Sequence, residues 1–266
     1  MFLVPFSLES VPGALSARFS FMLNGNPWYG SDARRPLFCA LSLRPAGEMG
    51  FNHEQANPNR TRLFSLFGIG GERIAARTQT HSKDVCVLDS GWASNEFLPP
   101  GDGFATNDSS LVLSVTVADC LPVFLADTRS GAVALLHSGW KGTGIVLSAL
   151  SIMKDRWGTD PGNVSAVLGP CIRACCYEVD AKRAQLFEAD FGEVSSGKTL
   201  GSAVKRVGER FFIDLQAANA ALLESAGVEN IAVCRDCTYT DDRFGSFRRE
   251  GHGRFTRMVA LLGRLP

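Results

Sequence analysis

The chain has 266 residues, of which 45% are hydrophobic and 20% charged, so it is long enough to bury a sizeable core. Lysine and arginine number 27 together, as do aspartate and glutamate, which excludes a strong global field for holding a polyanion. No basic run with interleaved aromatic residues occurs, so nucleic acid is not expected as a partner. We expect one α/β domain over residues 1–266.

We expect neither a targeting segment nor a membrane segment in this sequence. Residues 1–6 are apolar but lack the basic segment and small-residue cleavage site of a signal peptide. No apolar run reaches the roughly 18 residues of a membrane span. The eight cysteines are spread along the chain, which is typical of reduced thiols rather than a disulfide framework. We expect a soluble, cytoplasmic protein without a membrane partner; the sequence indicates no oligomeric state.

Hydrophobic patterning predicts alternating strands and helices. The expected strands cover residues 111–117, 123–126, 132–136, 164–168, 212–215 and 231–234, and the expected helices 60–67, 144–157, 181–189 and 216–226. Residues 44–59 are predicted as a surface loop, and the segment after Cys234 as a polar, arginine-rich tail. The interleaving predicts an α/β class with a mixed sheet.

Two of the four histidines adjoin predicted strand ends. His137 follows the apolar run at 132–136 and precedes a glycine-containing loop and a predicted helix. This arrangement exposes a side chain at the carboxyl edge of a sheet, where α/β proteins usually bind ligands. His81 lies in a polar segment just before the apolar residues 85–88.

Cys120 lies between Asp119 and residues 121–122, where an acid, a thiol and a proline interrupt a buried strand. A proline there argues against a central strand. Two imidazoles and one thiolate are ligands that zinc or copper prefers, and three protein ligands leave a fourth position open. The spacing alone leaves open that His81 and His137 are structural and that Cys120 is a small buried hydrophobe.

Several sequence blocks occur in the order of a known family. They are DGFAT at 102–106, ADCLP at 118–122, HSGWKGT at 137–143, GPCI at 169–172, CCYEV at 175–179 and SFRR at 246–249. With Gln79 and His81, these blocks resemble the YfiH-type laccase-domain family over about residues 40–260. Residues 14–25 match the family's glycine-rich opening block poorly, so no substrate contact is carried over to them.

The resemblance implies a function, a fold and a set of ligands. It implies a metal site of His81, Cys120 and His137 that binds zinc, with copper as the other metal. The implied activity is a purine nucleoside phosphorylase acting on adenosine, inosine and methylthioadenosine, with additional adenosine deaminase activity. The implied partners are a purine nucleoside and phosphate. The implied fold is a single-domain layered α/β sandwich similar to cysteine hydrolases such as the catalytic domain of cytotoxic necrotizing factor.

The types and numbers of residues in the chain limit which of these activities it can support. Four histidines without a His-x-His pair exclude a multicopper oxidase, so polyphenol oxidation would require a single copper. Phosphorolysis needs cations near the phosphate, for which Arg248, Arg249, Lys141 and Arg62 are candidates. Asp119 is a candidate substrate contact or proton shuttle, with hydrogen bonding to the backbone or to a ligand histidine as the alternative.

Other functions use the same residues or none of them. Cys120 with His137 could act as nucleophile and base of a cysteine hydrolase, and a non-catalytic binding module is a further alternative. Cys234 and Cys237 have the spacing of a metal knuckle but lack a second pair, so we interpret them as the end of a core strand. We interpret Cys175 and Cys176 as packing residues.

Overall fold

The structure is a computed structural model that describes residues 2–6, 14–28, 30, 36–92, 97–196 and 198–264. Its helices are α1 (Pro58–Leu66), α2 (Ile145–Trp157), α3 (Ala181–Ser195), α4 (Leu215–Ser225) and α5 (Phe247–Glu250). Its strands are β1 (Phe2–Phe6), β2 (Ser16–Phe19), β3 (Phe21–Leu23), β4 (Asn26–Trp28), β5 (Leu37–Ser42), β6 (Ile74–Ala75), β7 (Val85–Val87), β8 (Gly103–Thr106), β9 (Val112–Val117), β10 (Leu121–Asp127), β11 (Val133–Ser138), β12 (Val164–Leu168), β13 (Glu178–Val179), β14 (Val204–Val207), β15 (Arg210–Ile213), β16 (Asn230–Cys234) and β17 (Met258–Arg264).

Two large sheets organise the described part of the chain. Seven strands form one sheet in the order β1-β16-β12-β10-β11-β8-β7, and five form the other in the order β2-β5-β17-β9-β6. The larger sheet is mixed, because β12 and β16 are parallel whereas β10 is antiparallel to both β11 and β12. The predicted α/β class with a mixed sheet is therefore confirmed.

Alternation along β10 places the larger sheet between two hydrophobic cores. Val123 and Leu125 point into a core that also contains the apolar faces of α2, α3 and α4. Phe124 and Ala126 point into a second core shared with strands β5, β9 and β17 of the smaller sheet. Both faces of β10 are thus buried, which explains why its sequence is a continuous apolar run.

The outer face of the smaller sheet is covered by α1. Leu63 and Phe64 of this helix pack against Val112 of β9 and Val259 of β17 in a third core. The layers are therefore helices, seven-stranded sheet, five-stranded sheet and helix, which is a layered α/β sandwich.

Most element boundaries follow the sequence pattern, with one change of class. Leu215 was predicted to end a strand but begins α4, because the side chain of Asp214 caps this helix by accepting a hydrogen bond from the backbone N–H of Ala217 at 3.0 Å. Helix α3 continues to Ser195, beyond the predicted end at residue 189. No helix among the described residues has the length and hydrophobicity to cross a lipid bilayer.

The expectation from Pro122, that this segment is not a plain central strand, is wrong. Pro122 is the second residue of β10 and pairs with His137 of β11. Its carbonyl accepts a hydrogen bond from the N–H of Gly169, just beyond the end of β12. The ring nitrogen faces the same side, towards Gly169. The carbonyl of Gly169 accepts a hydrogen bond from Nε2 of Gln216 at 2.9 Å instead, so the missing N–H of Pro122 does not leave it unpaired. A Cβ on Gly169 would lie 2.7 Å from Cγ of Pro122, so glycine leaves room for the ring.

The prediction of a polar tail after Cys234 is also wrong for its final part. Residues 258–264 form β17, which pairs with β5 on one side and β9 on the other. The strand is buried over almost its whole length, because both faces contribute to cores. Several arginines precede this short apolar run, and for that reason the sequence predicted a polar tail.

We expect the core between the sheets to dominate stability. Phe124 is fully buried there, with its ring centroid 5.6 Å from that of Phe19. Phe124→Ala should lower the free energy of unfolding by about 3–5 kcal/mol, measured by urea denaturation. Leu186→Ala on α3, where the side chain is 52% exposed, is the control and should change it by less than about 0.5 kcal/mol. Equal losses for both variants would contradict the layer assignment.

Candidate metal centre

Three side chains from separate elements meet at one end of the two sheets. His81 lies in the loop before β7, and His137 lies near the end of β11. Cys120 lies in the crossover from β9 of the smaller sheet to β10 of the larger one. The candidate ligand atoms of the three residues all lie within 4.8 Å of one another. The structure thus brings together the three residues that the sequence predicted as metal ligands.

The buried carboxylate of Asp102 orients His137. Oδ1 of Asp102 accepts a hydrogen bond from Nδ1 of His137 at 2.8 Å, and both side chains are almost completely buried. A carboxylate only accepts, so Nδ1 carries the proton and Nε2 is left for the centre. This is the outer contact that metal-binding histidines usually make.

The same carboxylate holds the turn that carries His81. His81 has φ 61°, in the left-handed region that non-glycine residues rarely adopt. The backbone N–H groups of Thr80, His81 and Ser82 donate to Asp102 at 3.1, 3.0 and 2.6 Å. The hydroxyl of Ser82 donates to it at 2.9 Å. These bonds stabilise a backbone conformation that is unfavourable by itself.

A second strained residue precedes Cys120. Asp119 has φ 81° and is buried. Its carboxylate accepts hydrogen bonds from the hydroxyl of Thr238 at 2.6 Å and from the backbone N–H of Arg248 at 2.7 Å. Its own carbonyl accepts from the N–H of Ile172 at 2.9 Å. These contacts fix the crossover and present the Cys120 thiol between the two histidines.

The absence of a side chain at Gly139 leaves room for the side chains of Cys120 and His81. A Cβ built on this residue would lie 3.0 Å from Sγ of Cys120 and 3.0 Å from Cδ2 of His81. A side chain at position 139 would therefore crowd both candidate ligands, which accounts for a glycine two residues after His137.

Electrostatics favour an ionised thiol in the metal-free protein. Burial raises the pKa of Cys120, but the charge of His137 and hydrogen bonds with His137 and His81 outweigh it and lower this pKa from 9.0 to about 6. Burial lowers the pKa of His137, but Cys120 and Asp102 raise it from 6.5 to about 9. Hydrogen bonds hold the pKa of Asp102 well below its usual range against the effect of burial. Both shifts favour a thiolate beside an imidazolium near neutral pH.

The donor set fits a zinc or copper ion. One thiolate and two imidazoles are ligand types that both metals accept. All three residues line a cavity, so a fourth coordination position would face it. The hydrogen bond from His137 to Asp102 supplies the expected outer support.

The cavity has a volume of about 530 Å³ and combines aromatic and cationic walls. The guanidinium of Arg183 lies 4.7 Å from the ring of Trp140, and that of Arg248 lies 5.2 Å from the ring of Tyr177. Further aromatic rings in the wall belong to Phe51, Phe247 and Phe255. A space of this size and composition is typical of a site for a small organic ligand with an anionic group.

The predicted substrate contacts lie at different distances from this cavity. Arg248 is in the wall and donates to the carbonyl of Glu178 at 2.8 Å. Asp119 is in the wall too, but its carboxylate is occupied as described above. Lys141 is exposed on the loop after His137, outside the wall as far as the described residues define it, with its ammonium 5.6 Å from the Trp140 ring.

The two other candidate arginines, Arg249 and Arg62, are not among the described residues that line the cavity. Arg249 donates to the carbonyls of Thr238, Tyr239 and Asp241 at 2.7, 3.0 and 3.1 Å, which makes it a brace for that loop. Arg62 is exposed on α1, the helix that covers the outer face of the smaller sheet.

Sequence reasoning missed several residues of the site. Asp102 lies in a recognised sequence block, but only its burial and the six hydrogen bonds that its carboxylate accepts from four residues show that it organises the centre. Arg183 lies in the segment that the sequence predicts as an ordinary helix, which is α3. Its approach to Trp140 joins segments more than forty residues apart, so no local pattern marks it.

A family model described as "Multi-copper polyphenol oxidoreductase laccase" matches residues 42–263. The chain therefore belongs to this laccase-like family, to which the YfiH resemblance pointed.

Named relatives and solved structures agree with this assignment. The chain is 36% identical to a purine nucleoside phosphorylase of Mycobacterium bovis over 204 residues, covering 76% of this chain and 77% of the relative. The crystal structure of YlmD from Geobacillus stearothermophilus matches with a TM-score of 0.77 at 25% identity, covering 97% of this chain and 99% of YlmD. The crystal structure of YfiH from Bacillus licheniformis matches with a TM-score of 0.75 at 25% identity, covering 85% and 92%.

The multicopper part of the family description does not fit the described histidines. His53 packs against the ring of Phe51 with centroids 4.7 Å apart, and His252 against Phe247 at 6.3 Å. Only His81 and His137 belong to a ligand group among the described residues. The described residues thus offer imidazole ligands for one ion at this centre.

Asp102→Asn tests the organising role of the carboxylate. The substitution removes the negative charge beside His137 and leaves too few acceptor positions for the N–H groups of residues 80–82. We expect zinc affinity to fall about 10- to 100-fold, measured by competition with a chromogenic chelator. Asp108→Asn, in the loop before β9, is the control and should leave affinity unchanged. Unaltered affinity in Asp102→Asn would contradict the role assigned to this residue.

The lowered pKa of Cys120 predicts its reactivity. In metal-free protein, the rate of alkylation by iodoacetamide should rise through about pH 6 and then level off, because the thiolate is the nucleophile. Exposed Cys175, whose pKa burial raises, is an internal control that should react only at higher pH. Peptide mass spectrometry separates the two sites. Reaction of Cys120 only above pH 8 would show that the thiolate is not stabilised.

Proposed function

We propose that the protein is a metal-dependent purine nucleoside phosphorylase acting on adenosine and inosine, with methylthioadenosine as a further substrate. His81, Cys120 and His137 would hold the metal, zinc or copper. The observation that carries the proposal is that these ligands share a 530 Å³ cavity with guanidinium groups stacked on aromatic rings. Relatives that carry the name purine nucleoside phosphorylase support it.

Phosphorolysis requires an anion site beside a nucleoside site. A phosphate oxygen forms a bond to C1′ of the ribose while the bond from C1′ to the purine nitrogen breaks, which gives ribose 1-phosphate and the free base. Arg248 and Arg183 are suited to binding phosphate, because each guanidinium is held over a ring in the cavity wall. Stacking on aromatic side chains such as Phe247 would hold the purine and exclude water.

The remaining residues of the centre position and tune it. When bound, the metal supplies a Lewis acid that stabilises negative charge developing on the substrate. Asp102 keeps the proton on Nδ1 of His137 and so keeps Nε2 directed at the centre. Asp119 holds the backbone of Arg248, which links the proposed phosphate site to the Cys120 crossover. Its occupied carboxylate supports a positioning role more than the proton shuttle considered for adenosine deamination.

A cysteine hydrolase is the second candidate, and one specific observation favours it. Cys120, His137 and Asp102 form a chain of thiol, imidazole and carboxylate, and His137 and Cys120 form a thiolate–imidazolium pair near neutral pH. His81 argues for the metal instead, because a hydrolase of this kind needs one imidazole beside its thiol. Adenosine deamination would be an additional activity of the proposed centre, and polyphenol oxidation by a single copper would be a minor one.

Product analysis tests the proposal. Metal-quantified protein should convert adenosine and inosine to free base and ribose 1-phosphate only when phosphate is present, measured by chromatography. Cys120→Ala should abolish turnover, whereas Cys86→Ala, a half-buried thiol of β7, should retain it. Formation of inosine from adenosine would show that the protein also deaminates adenosine. Turnover of an amide or thioester by metal-free protein, with none on nucleosides, would replace the phosphorylase by the hydrolase.

The phosphate site has its own test. Arg248→Ala should raise the KM for phosphate about 10- to 100-fold, because a charge-assisted hydrogen bond contributes about 1.5–3 kcal/mol. The KM for the nucleoside should change much less. Arg156→Ala on α2, where the arginine is 49% exposed, is the matched control. An unchanged KM for phosphate in Arg248→Ala would remove this residue from the anion site.

A further inference from the structure

A second group of possible metal ligands lies outside the centre described above. It consists of Cys175, Cys176 and Cys237, whose sulfur atoms all lie within 4.8 Å of one another. Cys175 and Cys176 are neighbours in the turn before β13, and Cys237 follows β16. The local sequence gave no sign of this cluster, because about sixty residues separate the pair from the third thiol.

Backbone contacts hold the two segments in register. Cys171 and Cys237 form a parallel bridge, and the N–H of Thr238 donates to the carbonyl of Cys171 at 3.1 Å. Within the turn, the sulfur atoms of Cys175 and Cys176 lie 3.4 Å apart. The three thiols are therefore brought together by ordered backbone rather than by flexible side chains.

The surroundings of Cys237 favour negative charge on its sulfur, whereas burial raises the pKa of Cys175 and of Cys176, so a bound cation would have to displace their protons. The N–H of Arg173 donates to Sγ of Cys237 at 3.4 Å. Burial raises the pKa of Cys237, but hydrogen bonds from the backbone at Arg173, Thr240 and Tyr239 outweigh it and lower this pKa. The guanidinium of Arg173 lies nearby, and its buried Nε has no hydrogen-bond partner. Cys175 is exposed, so an ion has a route in.

We propose that Cys175, Cys176 and Cys237 form a second metal site, a trithiolate centre for Cu(I). Thiolate sulfur is the ligand type that selects Cu(I), and this ion is satisfied by three sulfur donors in one plane. A structural zinc site requires a fourth protein ligand, and the group contains no nitrogen or oxygen donor among the described residues. Binding replaces the thiol protons by the cation, without any change of oxidation state.

The position of this site links it to the cavity. Cys176 precedes Tyr177, which lies in the cavity wall. Cys237 precedes Thr238, which donates to Asp119 next to Cys120. A bound ion would tie the two segments together and so support the wall and the crossover without touching substrate.

Cu(I) titration of the full-length protein tests the proposal independently of nucleoside turnover. The measurement uses anaerobic, reduced protein and competition with a chromogenic Cu(I) chelator. Cys120→Ser removes a ligand of the first centre and should still bind one equivalent tightly. Adding Cys175→Ser should weaken that binding by at least about tenfold, because losing a ligand costs no less than losing an outer contact. Cys175 is exposed, so its substitution does not endanger folding.

The matched control is Cys86→Ser in the same Cys120→Ser background, which removes a thiol outside both groups and should leave the affinity unchanged. Cys237→Ser should reproduce the loss seen with Cys175→Ser. The proposal is overturned if Cys120→Ser binds no Cu(I), or if Cys175→Ser and Cys86→Ser behave alike. Tight binding of Zn²⁺ but not Cu(I) at these thiols would also overturn the assignment.

Discussion

The buried carboxylate of Asp102 joins two of the three candidate ligands. It fixes the proton of His137 on Nδ1 and, through three consecutive N–H groups, the left-handed turn of His81. Hydrogen bonds to a buried charge are worth about 1.5–3 kcal/mol each, enough to offset the strain of one residue at positive φ. The geometry of the centre is therefore set before any ligand arrives.

The two-sheet architecture supplies the third ligand. The chain leaves the smaller sheet at β9 and enters the larger one at β10, and Cys120 lies in the short connection between them. Because both sheets are buried on both faces, this connection has little freedom to move. The strained Asp119, braced by Thr238 and Arg248, turns the thiol towards the histidines.

The same side chains suit two kinds of chemistry. A thiolate paired with an oriented imidazole describes a nucleophile, and the addition of His81 describes a metal site. The wall of the cavity favours the metal site, because the guanidinium groups of Arg183 and Arg248 over aromatic rings suit a pair of substrates of which one is an anion. That feature is the reason for placing phosphorolysis first.

The sequence alone determined the α/β class and the strands β9, β11, β12 and β16, because periodicity is local. Through the family resemblance it also indicated His81, Cys120 and His137 as candidate ligands, because the sequence blocks occur in family order. Only the tertiary structure decided what depends on contacts between distant segments. These are the role of Asp102, the place of Arg183, the thiol cluster, the pairing of β17 between β5 and β9, and Pro122 in a central strand. Such contacts are set by how layers pack, and packing leaves no periodic trace in a single chain.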